Sequence, residues 1–249
     1  LEASNAAIST LTKAYSALSD GKFDPAVLDD LSTQSAQFAH FAHAFRAVAD
    51  EIREKRRLAY EMETAEAIQR AFLPKAVPKG PLAGRFEVAA SMTPAQNVGG
   101  DFYDFFMVDD RRLAFVIGDV SGKGIPAAIF MSYSRIVLRI QARQGGSAGA
   151  VLARSNDILS EDNSEYMFVT LALGILDLKT GSLDYASGGH EETFLLPDGT
   201  AEVAPLSVTG PALGMMPGMA FETRHSTLMP GDMVLFATDG VTEAFDPER

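Results

Sequence analysis

A mixed α+β architecture, with a long helical segment leading into a sheet-rich domain, is what this sequence predicts. Three observations carry that prediction. Apolar residues recur at three-and-four spacing as far as Phe72, the mark of amphipathic helices. A cluster of breakers follows (Pro74, Pro78, Gly80, Pro81 and Gly84), after which the period changes to that of strands. Several of those strands are joined by hairpin-type turns, which build antiparallel ladders.

The 249 residues suffice for one large domain, or a medium domain with an extension, and a hydrophobic content of 47% supplies a core. The formal charge of −12 excludes a non-specific nucleic-acid binder, which needs a basic face. Residues 1–75 hold 9 basic and 11 acidic side chains, whereas residues 76–249 hold 12 and 22, so the acid is concentrated downstream. With no cysteine, disulfides, thiolate zinc sites, iron–sulfur clusters and thiol catalysis are all ruled out. That composition suits a cytoplasmic location. No run reaches the length of a membrane span, and no signal peptide is visible.

Taken in order, residues 4–19 set Ile8, Leu11, Tyr15 and Leu18 on a narrow seam, and Gly21 is placed to cap the helix. A second helix is expected from near Ser35 to about Phe72. Its first half repeats Phe38, Phe41, Phe45, Val48 and Ile52, and the seam resumes out of phase at Leu58, Met62, Ala65 and Phe72. Such a helix would be roughly 55–60 Å long, too long to pack only on its own small domain. A parallel coiled-coil homodimer is the expectation, with the phase shift marking a junction between two packing modes. The basic cluster at residues 53–57 reads as a solvated helix face. The short helix, the Gly/Pro connector and the seam from Phe41 to Ile52 resemble a HAMP-type signalling module. The acidic pair that usually opens its second helix is replaced here by Ser35-Ala36-Gln37.

Past a Pro/Gly linker at 76–84, strands are expected at 86–92, which alternates, at 113–117, which is continuously apolar, and at 167–176, which is long and apolar with Thr170 inside it. Hairpin turns are expected before Ser182 and at Pro197-Asp198-Gly199. Two helices interrupt, at 125–143 with Pro126 in its first turn and at 147–160. The first is apolar most of the way round and is expected to be substantially buried.

The chemistry gathers at Gly99-Gly100-Asp101-Phe102-Tyr103-Asp104 and its echo, Gly118-Asp119-Val120-Ser121-Gly122-Lys123-Gly124. A third acid follows the apolar run 233–237 in Thr238-Asp239-Gly240. An Asp beside Gly ordinarily serves a turn. Three of them at the ends of apolar strands point instead to a hard-cation site, and carboxylates without Cys or His select Mg²⁺ or Mn²⁺. Two ions sharing a carboxylate can hold a water poised for in-line attack on a phosphoryl group. Asp119 is the bridging candidate, with the Val120 carbonyl as a further oxygen ligand and with Asp101 and Asp239 on either side. The glycine-rich echo is not a P-loop, since Gly118 and Gly122-Lys123 are too close and no Ser or Thr follows the Lys. Gly99-Gly100-Asp101-Phe102 is not a cyclic-dinucleotide synthase signature, since Phe102 stands where an acid is needed, and a nucleotide cyclase is disfavoured because the glycines and acids occupy hydrolase-like strand ends. His190 is read as structural, no role is assigned to His225, and the Gly/Pro-rich stretch 210–218 is expected to be a mobile flap.

Together these motifs, with Met167-Phe168-Val169-Thr170, Gly188-Gly189-His190 and Thr238-Asp239-Gly240-Val241-Thr242-Glu243-Ala244, resemble the SpoIIE-like, RsbU-type branch of the metal-dependent protein phosphatase 2C-like (PPM) superfamily. The helix end at Ala67-Ile68-Gln69-Arg70-Ala71-Phe72-Leu73-Pro74 is similar to the segment preceding that domain. The resemblance implies an αββα sandwich over residues 85–249 and a two-metal site (Mn²⁺ or Mg²⁺) on Asp101, Asp119, the Val120 carbonyl and Asp239. It further implies phosphoserine or phosphothreonine hydrolysis on a phosphorylated STAS-domain protein, regulated through helices 1–75. An upstream sensor or membrane domain would complete such a receptor. Family domains continue to a last strand with an Asp-Asp pair that supplies a further metal ligand. This stretch ends at Arg249 before one, so the expectation is a domain lacking its last strands, with reduced activity and an open sheet edge. The alternative is a metal-poor pseudophosphatase that binds a phosphoprotein without hydrolysing it.

Overall fold

The computed structural model describes residues 2–29, 36–76, 82–93 and 98–243. The expected helix start at Ser35, most of the linker and the Ala244 end of the last motif lie outside them. The chain forms two compact units, Leu1–Thr64 and Ala65–Arg249.

In the first unit, α1 (Glu2–Ser19) and the first half of α2 (Ala36–Phe72) run side by side, with the 3-10 turn Pro25–Leu28 between them. Gly21 caps α1 at φ 73°, while the amides of Asp20, Gly21 and Lys22 return to the carbonyls of Ser16, Leu18 and Ala17. The buried seam keeps Leu11, Leu18, Phe38, Phe45 and Ile52 of the expected one, but alanines take the places of its other four members. Ala7, Ala14, Leu18, Phe23, Leu28, Ala42 and Ala49 are its core, with Leu11, Phe38, Phe45 and Ile52 packed against them. Ile8, Tyr15, Phe41 and Val48 are exposed. Alanine lets two helix backbones approach closely, so the small residues take the intramolecular contact and the larger ones are left on an outer face.

The basic cluster is likewise more than a solvated face. Arg56 donates to the carbonyls of Leu18 and Ser19 at 3.0 and 3.1 Å, satisfying the open C-terminal end of α1. Arg53 reaches the Phe23 carbonyl at 3.1 Å, and Arg46 ties down Asp29 and the Pro25 carbonyl. Leu18 lies against residue 56, and Ile8, Leu11 and Tyr15 line one groove with Phe41 and Phe45. The two helices are therefore parallel.

The second unit is the α+β domain. β1 (Phe102–Met107), β2 (Arg112–Val120), β3 (Val169–Asp177), β4 (Ser182–Gly188) and the later β7 (Arg224–Thr227) form one antiparallel five-stranded sheet in the order β1-β2-β3-β4-β7. β5 (Thr193–Leu196), β6 (Ala204–Leu206) and β8 (Met233–Leu235) form a second sheet, β6-β5-β8. The sheets pack face to face: Phe115, Ile117, Ala172, Leu183 and Tyr185 from the first meet Leu206, Val234 and Phe236. The Tyr185 hydroxyl donates to the Leu206 carbonyl at 3.1 Å.

The other face of the large sheet carries α3 (Ile125–Arg143) and α4 (Ala148–Ser160), which Ser147 caps. Phe102, Val116, Val120, Met131, Leu138, Leu152 and Leu173 lie in the core between them. Both expected hairpins are present, β3–β4 through Gly181 at φ 76° and β5–β6 through Gly199 at φ 71°.

Four expectations need correction. Residues 86–93 are extended but join no ladder among the described residues, so that strand has the half-buried alternation without a partner. α3 is not buried most of the way round. It lies on one sheet face, and Ile125, Ile129, Ile136 and Ile140 remain on its outer side. The run into Asp239 is a three-residue strand, and Asp239 opens a short helix, α5 (Asp239–Thr242). The 210–218 stretch is no free flap: hydrogen bonds from α4 and the start of β3 hold it.

Candidate active site

The two Gly-Asp motifs meet at one end of the large sheet. β1 and β2 pair in register with Phe102 opposite Gly118, which brings Asp101, just before β1, alongside Asp119 near the end of β2. Glycine is required for this approach. A Cβ on Gly100 would stand 2.6 Å from the Val120 carbonyl oxygen, and one on Gly118 would stand 2.6 Å from the Phe102 ring. The second motif then turns through Gly122 and Gly124, at φ 86° and 73°, into the first turn of α3.

The strand pairing sets the Asp101 and Asp119 side chains beside each other. Half-burial, the neighbouring Asp101 carboxyl, and the negative charges of Asp101 and Asp239 push the Asp119 carboxyl up to about 7. Carboxylates so close must share a proton or a cation, so this pair fits a divalent ion. Thr238 donates to Asp101 Oδ2 at 3.2 Å, which links the β8–α5 junction to the pair. Among the described residues, no three acid or imidazole side chains stand close enough together to hold an ion as a group. The arrangement is thus a tight pair, Asp101 and Asp119, with Asp239 near enough to be felt through its charge.

Two supporting features were not read from sequence. His190 is buried, and burial pulls its imidazole below the usual range. Its Nδ1 lies 3.1 Å from Thr170 Oγ1, which donates in turn to the Asp119 carbonyl at 3.4 Å. This chain fixes the backbone under the acid and gives the structural reading of His190 a specific content. The visible signal was Thr170, a hydroxyl inside an apolar strand. The second feature is Asp104, fully enclosed and gripped by Arg139 through Nε and Nη2 at 2.5 and 2.7 Å, with Arg135 Nε at 3.0 Å. The Arg139 guanidinium also lies 4.7 Å over the Phe106 ring. This clamp joins the strand after Asp101 to the helix after Asp119. His225, assigned nothing, is exposed and bonds Asp184 at 2.8 Å away from the acids.

A fold of two antiparallel sheets under a helical layer, with an acid pair at the sheet end, defines the class of the metal-dependent PPM phosphatases, and comparison with known proteins agrees. The chain belongs to the SpoIIE family: the model for stage II sporulation protein E matches residues 109–249. Its RsbU-type character shows in curated relatives. It is 32% identical to protein IcfG of Synechocystis over 96% of this chain and 42% of that protein. It is 30% identical to the phosphoserine phosphatase RsbU of Bacillus subtilis over 74% of this chain and 53% of that protein. The chain thus spans about half the length of the curated relatives it matches. Among solved structures, the SiaA PP2C domain of Pseudomonas aeruginosa aligns with TM-score 0.60 at 22% identity, covering 73% of this chain and 71% of that one, which shows the fold. The RsbU and RsbW domains of Rv1364c from Mycobacterium tuberculosis align with TM-score 0.52 at 30% identity, covering 61% and 42%.

Proposed function

We propose that this chain is the catalytic and regulatory part of a metal-dependent phosphoserine/phosphothreonine protein phosphatase in bacterial signalling. The observation that carries the reading is the Asp101–Asp119 pair at the sheet end, where Gly100 lies against the Val120 carbonyl. Mn²⁺ or Mg²⁺, two ions in the complete domain, would be held by Asp101, Asp119, the Val120 carbonyl and Asp239, and would supply an acidified water for in-line attack on the phosphoryl group. In this reading Asp119 bridges, because the charges of both other acids act on it. Thr238 orients Asp101, and the His190–Thr170 chain holds the Asp119 backbone in line.

The substrate we infer is a phosphorylated STAS-domain protein. Support comes from the likeness to RsbU, itself named a phosphoserine phosphatase. A cytoplasmic location, or the cytoplasmic part of a membrane-anchored receptor, fits the cysteine-free composition. No helix among the described residues is long and apolar enough to cross a membrane.

We read the first unit as a HAMP-like input module that dimerises. Its parallel helices leave Ile8, Tyr15, Phe41 and Val48 exposed on an outer face at heptad spacing, a surface that a second copy would cover. Domain limits of 1–75, 76–84 and 85–249 belong to the same reading.

One observation favours a second reading, the metal-poor pseudophosphatase: no three acids form a group among the described residues. A single experiment separates the two. The full-length protein should hydrolyse a phosphoserine peptide only when Mn²⁺ is added, and Asp119→Asn should lose that activity. Binding of the phosphopeptide without turnover would select the pseudophosphatase instead.

A further inference from the structure

Tyr166 is 82% exposed and stands in the left-handed region at φ 52°, as does Asp162 four residues earlier. A non-glycine residue keeps that conformation only where its surroundings enforce it. Here they do. The Asn163 side chain accepts from the Met167 amide at 3.0 Å and donates to the carbonyls of Met167 and Gly214 at 2.6 and 2.8 Å. The Gly214 amide donates to Asn156 Oδ1 at 3.0 Å, Asn156 Nδ2 donates to the Met216 carbonyl at 2.9 Å, and the Gly218 amide donates to Asp157 Oδ1 at 2.7 Å. Leu213 and Val169 exchange both backbone bonds at 2.9 Å. All this bonding fastens two loops together, and the large apolar side chains they present to solvent are Tyr166, Met215 and Met216, with Ile129 of α3 beside Phe130, whose ring approaches Gly214.

The patch sits at the lip of the acid site. Val169 and Thr170 pair with Val120 and Asp119, and Phe168 bonds Ser121 through both its amide and its carbonyl. Tyr166 is four residues beyond Thr170 on that same sheet end, no more than about 13 Å of extended chain from it. Exposed Glu161, Asp162 and Glu165 rim the patch.

From this geometry, and resting on the phosphatase reading above, we propose that the Tyr166–Met215–Met216 patch docks the folded body of the phosphoprotein substrate. The partner it fits presents an apolar surface flanked by basic residues near its phosphoserine. Tyr and Met are the side chains that anchor interfaces and adapt to them, and fixing them in advance removes much of the ordering cost of binding. The acidic rim favours a basic partner face and repels an acidic one. A short peptide, reaching only the acids, would gain nothing from the patch.

The test compares two substrates carrying the same phosphoserine: a folded phosphorylated STAS-domain protein, and a peptide copied from its phosphorylated segment. For the full-length protein in Mn²⁺, Tyr166→Ala should lower the protein-to-peptide ratio of kcat/KM by about tenfold or more, through KM. Tyr166→Phe should keep most of the ratio, and Met216→Ala, on the other loop, should lower it independently. An unchanged ratio, or equal losses on both substrates, overturns the docking role. So does a change of sedimentation in Tyr166→Ala, which would assign the patch to a second copy. If the wild type hydrolyses neither substrate, the phosphatase reading itself fails. Peptide hydrolysis with an unmoved ratio sinks only the docking surface.

Discussion

The two sheets of the second unit are built very differently, and the acids divide between them accordingly. The five-stranded sheet has central strands of nine residues, β2 and β3, and is covered on one face by α3 and α4 and on the other by the second sheet. The three-stranded sheet has strands of three or four residues, and its Met233 and Leu235 are exposed. Asp101 and Asp119 stand side by side at the end of the thick sheet. Asp239 follows the thin one, at the start of a four-residue helix with no side-chain cap. The lesson is that half of the proposed site is held by a packed core, while the other half depends on a sheet whose outer face is uncovered among the described residues.

The contrast can be broken most severely at the pair. Asp119→Asn should abolish Mn²⁺-dependent phosphopeptide hydrolysis, while its circular dichroism and thermal midpoint stay at or above those of the wild type, because a half-buried charge facing two other acids is removed. Next in size is the clamp. Asp104→Ala leaves Arg135 and Arg139 without their buried counter-charge and should cost about 3–5 kcal/mol in urea unfolding. A loss no greater than that of an exposed ion pair, such as Lys55–Glu51, would show that the clamp does not brace the thick sheet.

Smaller still, Gly100→Ala forces a methyl onto the Val120 carbonyl and should cost about 1–3 kcal/mol, with a matching rise in the Mn²⁺ concentration needed for half-activity. Gly84→Ala, which meets nothing, is its control.

The pair also gives a pH dependence. Asp119 is raised to about 7 in the ion-free fold, against about 4 in an unfolded chain. Between those values the native state binds a proton that the unfolded state lacks, so ion-free stability should fall as pH rises from about 4 to 7 and level off above that. Urea midpoints in EDTA at pH 5 and pH 8 measure it, and Asp119→Asn should remove this part of the slope.

Much of this was legible in the sequence, for physical reasons that differ by element. α3, α4 and the β3–β4 hairpin follow from period, caps and turn glycines, all of which are local. The Asp101–Asp119 meeting followed from glycines flanking both acids, since close approach leaves a mark in composition. β1 went unread because Phe102-Tyr103-Asp104-Phe105-Phe106-Met107 does not alternate: Asp104 faces the α3 side, where two arginines neutralise it. Leu11, Leu18, Phe38, Phe45 and Ile52 of the helical seam are legible from their period, while Ile8 and Tyr15 yield their places to Ala7 and Ala14, because hydrophobicity ranks them higher but close packing of parallel helices prefers the small side chain. Residues 86–93 show that alternation predicts a half-buried extended chain, not a ladder; a ladder needs a neighbour elsewhere in the sequence. The Asn163 and Asn156 tethers are tertiary and left no periodic trace at all.

The central claim, that Asp101 and Asp119 form the core of a divalent-cation site, is tested most directly by calorimetric titration of Mn²⁺ into the protein at pH 7 in buffers of different ionisation enthalpy. The account predicts binding accompanied by proton release, with both lost in Asp119→Asn. Equal Mn²⁺ affinity in the wild type and Asp119→Asn would contradict it.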